Sequence, residues 1–372
     1  MFLRIIRIFI WVLYYIFYII PIDFYKNFLD LVGLSPEKEY DGLEKIGKKI
    51  AIFVSYPSAG KVTDNNKRYI ENLRDLGFSI IFISNVSVSN ENIESLKKIC
   101  SKIIIRANQG RDFGAYKHGL MKYKNEIMDS QELLLVNDST IPLKKLDEMF
   151  DEMYAKNVDL WGVSESYKKM YENYHICSYF LLMSKNLIKS DAFWNFWKNY
   201  KITESRALTI NRGETNFTYK MRMNGFKTAS YIDSYKINKF LISNSTASYI
   251  DSYKINKFLI SNSSEKGEIE LLWLNFTLAE KFISSFSTSG ITKMLYCMNH
   301  NGFFLKIMLK LGMPVIKKDI FLKCSYYVDD IKTLLESDSS ILYGKEAMEE
   351  LIQGLNKKRS FWDKLLTAIG EK

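Results

Sequence analysis

Residues 107–120, ANQGRDFGAYKHGL, hold two glycines and an Arg-Asp pair between a short β-branched run and a stretch with the apolar spacing of a helix. The glycines therefore lie in a predicted strand-to-helix turn. Gly110 and Gly114 permit close backbone approach, and the free N–H groups of the following helix attract an anion such as a diphosphate. We expect a donor molecule to contact four residues of this turn: Asn108, Gly110, Arg111 and Asp112. On the alternative interpretation, Asp112 only caps the helix.

A second polar group follows the buried apolar run of residues 133–136. Asn137, Asp138 and Ser139 come directly after this run, and Pro142 is predicted to open the next helix. A carboxylate at the carboxyl end of a buried parallel strand lies where open α/β sheets bind their ligands. Since the two polar groups follow successive strands, we expect them at the same edge of one sheet, in a nucleotide-type site. The alternative is local, because Asp and Ser also cap helices.

Strand and helix patterns alternate around these motifs, and that alternation predicts a mostly parallel sheet. The predicted strands cover residues 49–55, 79–84 and 160–163, and the predicted helices cover residues 64–76, 91–100 and 143–155. Tyr56 opens the loop after the first of these strands, again at a carboxyl strand end. It either contacts the base or ribose of a nucleotide or belongs to an ordinary polar turn.

Five segments, in this order, resemble the rhamnan synthesis protein F family: GRDFGAYKHGL, LLLVNDSTIPL, DLWGVSES, HICSYFLLMSKNLI and FWNFWKNY. The resemblance covers about residues 49–225, and a weaker similarity lies at residues 312–319, GMPVIKKD. It implies a glycosyltransferase-like protein of rhamnose-containing cell-surface polysaccharides. More distantly, the order of elements is similar to GT-A glycosyltransferases, whose N-x-G loop, acidic strand end and late acidic helix correspond to residues 108–110, residues 137–139 and Glu214.

The GT-A resemblance implies a general base. In inverting members an acidic residue that opens a helix near the acceptor has this role, and Glu214 fits it, at the start of a predicted helix that ends at Asn224 and Gly225. Such a carboxylate takes the proton of the acceptor hydroxyl as that hydroxyl attacks. Alternatively, Glu214 is favoured in a first helical turn simply by the helix dipole.

The departing nucleoside diphosphate needs its charge offset. Asp138 is positioned to hold a divalent cation, Mg²⁺ or Mn²⁺. However, the segment of residues 137–139 supplies one carboxylate where the usual Asp-x-Asp motif supplies two. Metal dependence is therefore open at this stage.

Three basic side chains are further candidates. Arg111 and Arg212 share in offsetting the diphosphate charge, unless Arg111 instead forms an ion pair with the adjacent Asp112. His175 lies in a segment that carries the family resemblance and contacts phosphate or the acceptor. As an alternative, His175 is a structural histidine.

Composition limits the class of protein. The chain has 372 residues, 47% of them hydrophobic, which suffices for one large or two modest domains with buried cores. Its net charge of +10 suits nucleic acid or an anionic membrane. The sequence has no zinc-finger spacing, RNP-type signature or long basic tract, so we expect no nucleic acid partner. The scattered cysteines and histidines indicate neither a disulfide framework nor a metal cluster, and a reducing compartment is expected.

The amino-terminal residues 1–22 are apolar and aromatic after two early arginines. The uninterrupted apolar run covers residues 8–20 and stops before Pro21. A membrane-spanning helix needs about 20 apolar residues, so we expect this segment to lie in the membrane interface, where Trp and Tyr suit the headgroup level. A buried first helix and an export signal are the alternatives, although no small-residue cleavage site follows.

The stretch TASYIDSYKINKFLISNS occurs twice without a change, at residues 228–245 and 246–263. Two copies are too few for a solenoid, and an extra copy that loops out costs little stability. The sequence around residues 35–49 is typical of a linker, and the pattern beyond residue 265 is mainly helical. The predicted domains are a membrane-associating segment at residues 1–34, a GT-A-like domain at residues 49–264 that includes the duplication at 228–263, and a helical region at residues 265–372.

These observations predict an α/β protein with a GT-A-like, Rossmann-like sheet flanked by helices, an N-terminal hydrophobic helix and a helical C-terminal region. By resemblance, its activity is inverting transfer of a hexose, rhamnose from dTDP-rhamnose, onto a lipid-linked or growing glycan. The expected location is the cytoplasmic face of a bacterial membrane, as a peripheral or monotopic protein. The alternative is a non-catalytic assembly protein that binds glycan or partner transferases.

Overall fold

The computed structural model describes residues 2–31, 36–57, 60–167, 174–244, 305–319 and 328–355. The strands of its central sheet are β1 (Glu37–Asp41), β2 (Lys49–Ser55), β3 (Ser79–Ser84), β4 (Lys102–Arg106), β5 (Glu132–Asn137), β7 (Leu160–Tyr167), β8 (Tyr174–Ile176), β9 (Phe180–Ser184) and β10 (Thr228–Ile232). A separate two-stranded sheet pairs β6 (Thr140–Pro142) with β11 (Val315–Lys317).

The spatial order of the central sheet is β1-β4-β3-β2-β5-β9-β7-β10, with β8 paired to β7. Strands β4, β3, β2 and β5 are parallel, and so are β7 and β10. Strand β1 is antiparallel to β4, and β9 is antiparallel to both of its neighbours. The predicted α/β fold with a mostly parallel sheet is therefore confirmed.

Helices connect the parallel strands, and several begin at a side-chain cap. The hydroxyl groups of Thr63, Ser89 and Ser190 each accept a hydrogen bond from the backbone N–H three residues later. The helices that flank or follow the sheet are Asp64–Asp75, Asn90–Lys97, Arg111–Lys122, Lys124–Met128, Asp147–Ala155, Lys185–Ile188, Asp191–Asn199, Arg206–Leu208, Asn216–Met223, Ser234–Asn244, Leu305–Lys310, Val328–Ser337 and Gly344–Leu355.

Both faces of the sheet are covered. Along β2, Ala51 and Phe53 pack into one core, whereas Ile52 and Val54 pack into the other. Strands buried on both faces carry continuous apolar runs instead of alternating ones, as β2 and β5 do. The aromatic segment around Trp197 lies in the second core.

Two sequence expectations about element boundaries are wrong. The supposed linker contains β1, whose exposed, charged side chains suit an edge strand that pairs with β4. Pro142 does not open a helix: it ends β6, opposite Val315, and the next helix begins only at Asp147. Proline fits there because an edge strand does not need every N–H in its ladder.

The described parts of the C-terminal region pack onto the sheet. Met308, Val315 and Leu351 are buried in the same core as Phe53. The first copy of the repeat forms β10 and the helix Ser234–Asn244, and β10 lies at the edge of the sheet beside β7. The second copy, residues 246–263, lies outside the described residues.

The N-terminal helix is longer than the apolar run predicts. An α-helix (Phe2–Tyr14), a π-helical turn (Tyr15–Ile19) and an α-helix (Ile20–Leu31) follow one another directly, so the helix continues through Pro21. The wider π turn lies where proline would interrupt a regular α-helix. Within the described residues one segment, Ile8–Leu29, is long and apolar enough to cross a membrane, and only 6% of its apolar window is buried. This low burial does not fit the alternative of a core helix.

Candidate functional site

The carboxyl edge of the sheet brings the two polar motifs into contact. Asp138 follows β5, and its Oδ2 accepts hydrogen bonds from Ser55 Oγ at 2.7 Å and from the backbone N–H of Tyr56 at 3.0 Å. Asn137 Nδ2 donates to Asp112 Oδ2 at 2.8 Å. The expectation that successive strand ends meet at one edge is therefore correct, because β2, β4 and β5 all run in the same direction.

The pKa of the Asp112 carboxyl lies above its ordinary value. Burial, the largest cause, and the nearby charges of Asp138 and Glu214 together raise the pKa of this carboxyl to about 6, against the opposing charges of Arg111 and Lys317. Three carboxylates and two cations thus interact through one small region. We call Asp112, Asp138 and Glu214 the acidic group.

Glu214 does not open a helix, contrary to the sequence expectation. It lies in a π-helical turn, Thr209–Thr215, between Arg206–Leu208 and Asn216–Met223, so the helical segment starts well before it. π-Helical turns are rare and occur often at functional sites. Glu214 Oε1 accepts a hydrogen bond from the backbone N–H of Ser178 at 3.2 Å and lies 3.6 Å from His175 Nε2.

Glu214 and His175, two separate candidates from sequence, are therefore neighbours. His175 is buried on β8, which pairs with β7, and its ring holds one side of the Glu214 carboxylate. The Glu214 side chain is 17% exposed, so the fold does not enclose it completely. A second residue with an accessible side chain is Tyr56, which is 57% exposed at the end of β2.

Sequence reasoning missed Lys317 as a site residue. The pairing of β11 with β6 sets Lys317 opposite Thr140, and the backbone N–H of Lys318 donates to the carbonyl of Ser139 at 2.9 Å. Lys317 Nζ lies 5.2 Å from the centre of the Tyr179 ring, and its charge lowers the pKa of Asp112. The weaker similarity to the family at residues 312–319 was the sequence signal that indicated the importance of this strand.

Hydrogen bonds within the loop itself stabilise the loop that carries Asn137 and Ser139. Ser139 donates both its backbone N–H, at 3.1 Å, and its hydroxyl, at 2.5 Å, to Asn137 Oδ1. Asn137 thereby uses its carbonyl oxygen within the loop and its amide on Asp112. These contacts make Asn137 a support for Asp112 and Asp138.

The glycine turn faces a different part of the molecule. Gly110 has φ +70°, and a Cβ there would lie 2.1 Å from Ile202 Cγ2, so packing alone demands glycine. Its backbone N–H donates to Glu204 Oε1 at 2.7 Å. The helix begins at Arg111, with Gly110 as its cap position, so Asp112 is not the N-cap. A carboxylate of the chain itself thus binds the N–H group that we expected to bind a diphosphate.

Asn108 and Arg212 also lie on that side. The carbonyl of Asn108 accepts a hydrogen bond from Lys26 Nζ at 2.5 Å, and the charge of Arg212 acts on Asp23. Lys26 and Asp23 both belong to the N-terminal helix. The predicted donor residues therefore divide into the acidic group with its neighbours and a set next to the N-terminal helix.

Arg111 stands between the two sets. Its φ of 55° is rare for a residue with a side chain, and such strained backbone occurs often at functional sites. Its Nε donates to the carbonyl of Glu204 at 3.0 Å, while its charge lowers the pKa of Asp112. Buried Asn85 and Arg106, also missed from sequence, support this turn, since Arg106 donates to Asn85 Oδ1 at 2.9 Å and to the carbonyl of Gln109 at 3.1 Å.

The acidic group suits a hard divalent cation in its chemistry. Asp112 and Asp138 offer the carboxylate oxygens that Mg²⁺ and Mn²⁺ prefer, and a cation would relieve the repulsion that raises the pKa of Asp112. In the described part of the chain no three His, Cys, Asp or Glu side chains are grouped as a complete metal site. A cation at this point would need further oxygen ligands from a diphosphate and from water.

Comparison with known families identifies the central part of the chain. Residues 80–258 match the model of RgpF, rhamnan synthesis protein F. The matched residues, just under half of the chain, are called the rhamnan synthesis protein F segment below. The resemblance found from sequence motifs is thereby confirmed.

The rhamnan synthesis protein F segment contains every predicted site residue except Tyr56. It also contains the first copy of the repeat, which forms β10. Lys317, which the fold brings next to Asp112, lies beyond it. The match therefore covers the acidic group and the glycine turn but not β2 or β11.

A curated relative is the uncharacterized protein y4gN of Sinorhizobium fredii, with 25% identity over 203 residues, 54% of this chain. The chain spans about half the length of this relative, 53%. Among solved structures, the chain is similar to a protein described as a glucose-1-phosphate thymidylyltransferase of Bacillus anthracis (TM-score 0.32, 9% identity, 49% of this chain and 86% of the other). It is also similar to Staphylococcus aureus TarS residues 1–349 (TM-score 0.30, 11% identity, 82% and 90%).

A third solved structure is a protein described as a nucleotide-diphospho-sugar transferase of Desulfovibrio desulfuricans G20. It has 12% identity to this chain and a TM-score of 0.28. The similarity covers 68% of this chain and the whole of the other, 100%.

Proposed function

We propose that the protein is a glycosyltransferase of polysaccharide synthesis that takes its sugar from a nucleotide donor. One observation carries the proposal: within the rhamnan synthesis protein F segment, Asp112, Asp138 and Glu214 interact at the carboxyl edge of the sheet. Open α/β sheets bind ligands at this edge. Three carboxylates with a raised pKa among them are typical of a site that handles protons and cations.

In this proposal Glu214 is the general base. The acceptor hydroxyl gives its proton to the Glu214 carboxylate as its oxygen attacks the anomeric carbon, and the bond from that carbon to the diphosphate breaks. The products are the glycosylated acceptor with inverted configuration and a nucleoside diphosphate. His175 and the backbone N–H of Ser178 support this role, because they hold the carboxylate in one orientation.

The negative charge of the leaving group is offset by Lys317 and Arg111, whose charges already act on the acidic group. A divalent cation held by Asp138 and Asp112 would supply Lewis-acid stabilisation of the same diphosphate. The exposed ring of Tyr56, next to Asp138, contacts the base or ribose. Ser139 and Asn137 shape the loop that follows β5.

The finer assignments rest on the family. The donor in this proposal is dTDP-rhamnose, and the acceptor is a lipid-linked or growing glycan at the cytoplasmic face of a bacterial membrane. The exposed apolar N-terminal helix supports the membrane location. The choice of rhamnose follows from the rhamnan synthesis protein F family.

The test is a transfer assay with the full chain, radiolabelled dTDP-rhamnose or UDP-glucose, and membrane extract as acceptor. Replacement Glu214→Gln keeps the hydrogen bond from Ser178 but cannot take a proton, so we expect transfer to fall about a hundredfold or more while donor binding persists. Glu94→Gln, at an exposed i,i+3 ion pair with Lys97, is the control and should match the unmodified protein. Unchanged transfer by Glu214→Gln contradicts this mechanism. A folded protein that neither binds donor nor transfers sugar favours the non-catalytic assembly role.

A further inference from the structure

The Glu204 side chain joins the N-terminal helix to the glycine turn. Its Oε1 accepts the hydrogen bond from Gly110 and lies 3.2 Å from Lys26 Nζ, and its backbone N–H donates to Asp23 Oδ1 at 2.7 Å. Its carbonyl accepts the hydrogen bond from Arg111 Nε. We call these contacts the Glu204 link.

The link uses one face of the N-terminal helix. Buried Ile19 precedes Asp23 by four residues and Lys26 by seven, so the three side chains lie on the face that meets the rest of the protein. The opposite face is apolar and exposed: Phe24 is 75% exposed and Phe28 is 51% exposed. Further exposed apolar residues along the helix are Phe9, Leu13, Phe17, Ile20 and Tyr25.

Such a face is suited to a lipid surface. Aromatic and aliphatic side chains enter the boundary between headgroups and acyl chains, and the net charge of +10 attracts anionic lipid. Because Asp23 and Lys26 are bound to Glu204, the part of the helix from Asp23 onward stays against the globular part of the protein. Lipid contact and the Glu204 link therefore involve opposite faces of the same helix and are compatible.

We propose that an anionic lipid surface binds the exposed face of the N-terminal helix. We further propose that this binding, through the Glu204 link, increases the affinity of the donor site. This inference rests on the proposed function, since it concerns the regulation of the same site. A helix fixed on the membrane keeps Lys26 against Glu204, and Glu204 then holds the N–H of Gly110 and the backbone of Arg111. Arg111, which acts on Asp112, is thereby oriented for the donor diphosphate.

Loss of the link harms the site in two ways. The glycine turn loses the acceptor for the Gly110 N–H when Glu204 is replaced, and the Glu204 carboxylate loses its ion-pair partner when Lys26 is replaced. Both changes weaken donor binding. Glu204 is thus a positioning residue, and its effect should depend on the presence of lipid.

The experiment uses the full chain in mild detergent, with and without vesicles of phosphatidylcholine alone or mixed with phosphatidylglycerol, and a calorimetric titration with dTDP. We expect co-sedimentation with the anionic vesicles and about tenfold tighter dTDP binding on them. The paired replacement Phe24→Asp with Phe28→Asp should abolish both effects and leave the affinity without vesicles unchanged. Glu204→Ala should bind vesicles normally but lose the tightening.

Hydrogen exchange of the peptide covering residues 107–114 gives a readout that needs no nucleotide. Anionic vesicles should slow exchange of this peptide in the unmodified protein and leave it unchanged in Glu204→Ala. If the peptide responds but dTDP never binds, the proposed function fails and the link stands. Absence of vesicle binding, an equal response in Glu204→Ala, or a dimer that covers the apolar face in sedimentation would overturn the inference.

Discussion

The acidic group and the glycine turn lie next to each other at one edge of the sheet, yet they are built differently. Each carboxylate of the acidic group is held by hydrogen bonds from neighbouring side chains or backbone N–H groups, and the group remains accessible through Glu214. In the glycine turn, the N–H of Gly110 is bound by Glu204, and the missing side chain makes room for Ile202. Position at a strand end therefore does not by itself identify a ligand-binding residue. The hydrogen-bond partner of each polar atom must also be known.

The first prediction concerns the packing of the glycine turn. Gly110→Ala should lower the free energy of unfolding by about 3 kcal/mol, because the new Cβ meets Ile202 and the backbone is in the left-handed region. Urea unfolding followed by circular dichroism measures the change. Gly225→Ala is the matched control, since Gly225 has φ +86° but no atom within 4 Å of the added Cβ; it should cost only about 1 kcal/mol. Equal losses would refute the role of Ile202.

The second prediction concerns the protonation of the acidic group. Because the pKa of Asp112 is raised to about 6, the folded state binds a proton that the unfolded state releases near pH 4. The stability that Asp112 contributes is therefore present below about pH 4 and is lost as pH rises through about 6. Relative to Asp112→Asn, the unmodified protein should lose about 2 kcal/mol between pH 4.5 and pH 7, less than the full shift because pH 4.5 already lies above the pKa of the unfolded carboxyl.

Urea titrations at the two pH values test this prediction. Asp75→Asn, at an exposed ion pair with Lys145, is the control and should show no comparable change. Saturating Mg²⁺ should lower the pKa of Asp112 and shrink the effect if the acidic group binds the cation. A difference between the unmodified protein and Asp112→Asn that is the same at both pH values would contradict the raised pKa of Asp112.

The third prediction separates two neighbouring lysines. Lys317→Met should weaken dTDP binding about tenfold, because a cation near the diphosphate is lost. Lys318→Met is the control, because Lys318 Nζ lies 2.7 Å from Glu350 Oε1 and forms an ion pair with it. Its replacement should leave dTDP affinity unchanged and lower stability slightly. Isothermal titration of both variants measures the affinities, and an equal effect of the two replacements would remove Lys317 from the site.

Much of the fold follows from local patterns, and less of the site does. The alternation of strands and helices and the shared edge of residues 107–112 and 137–139 were predictable from periodicity and chain order. Glu204 and Lys317 were not, because the first contacts a residue 94 positions away and the second reaches the site through β11. Glu214 was found from resemblance, but its π-helical turn has no sequence signature.

The measurement that tests the central claim most directly is a calorimetric titration with dTDP and dTDP-rhamnose in the presence of Mg²⁺. The full chain is compared with Asp138→Asn, in the acidic group, and Arg212→Met, on the side of the N-terminal helix. We predict donor binding that Asp138→Asn weakens at least about tenfold and Arg212→Met leaves nearly unchanged. Equal affinities for the unmodified protein and Asp138→Asn, or loss of binding only in Arg212→Met, would contradict the assignment of the donor site to the acidic group.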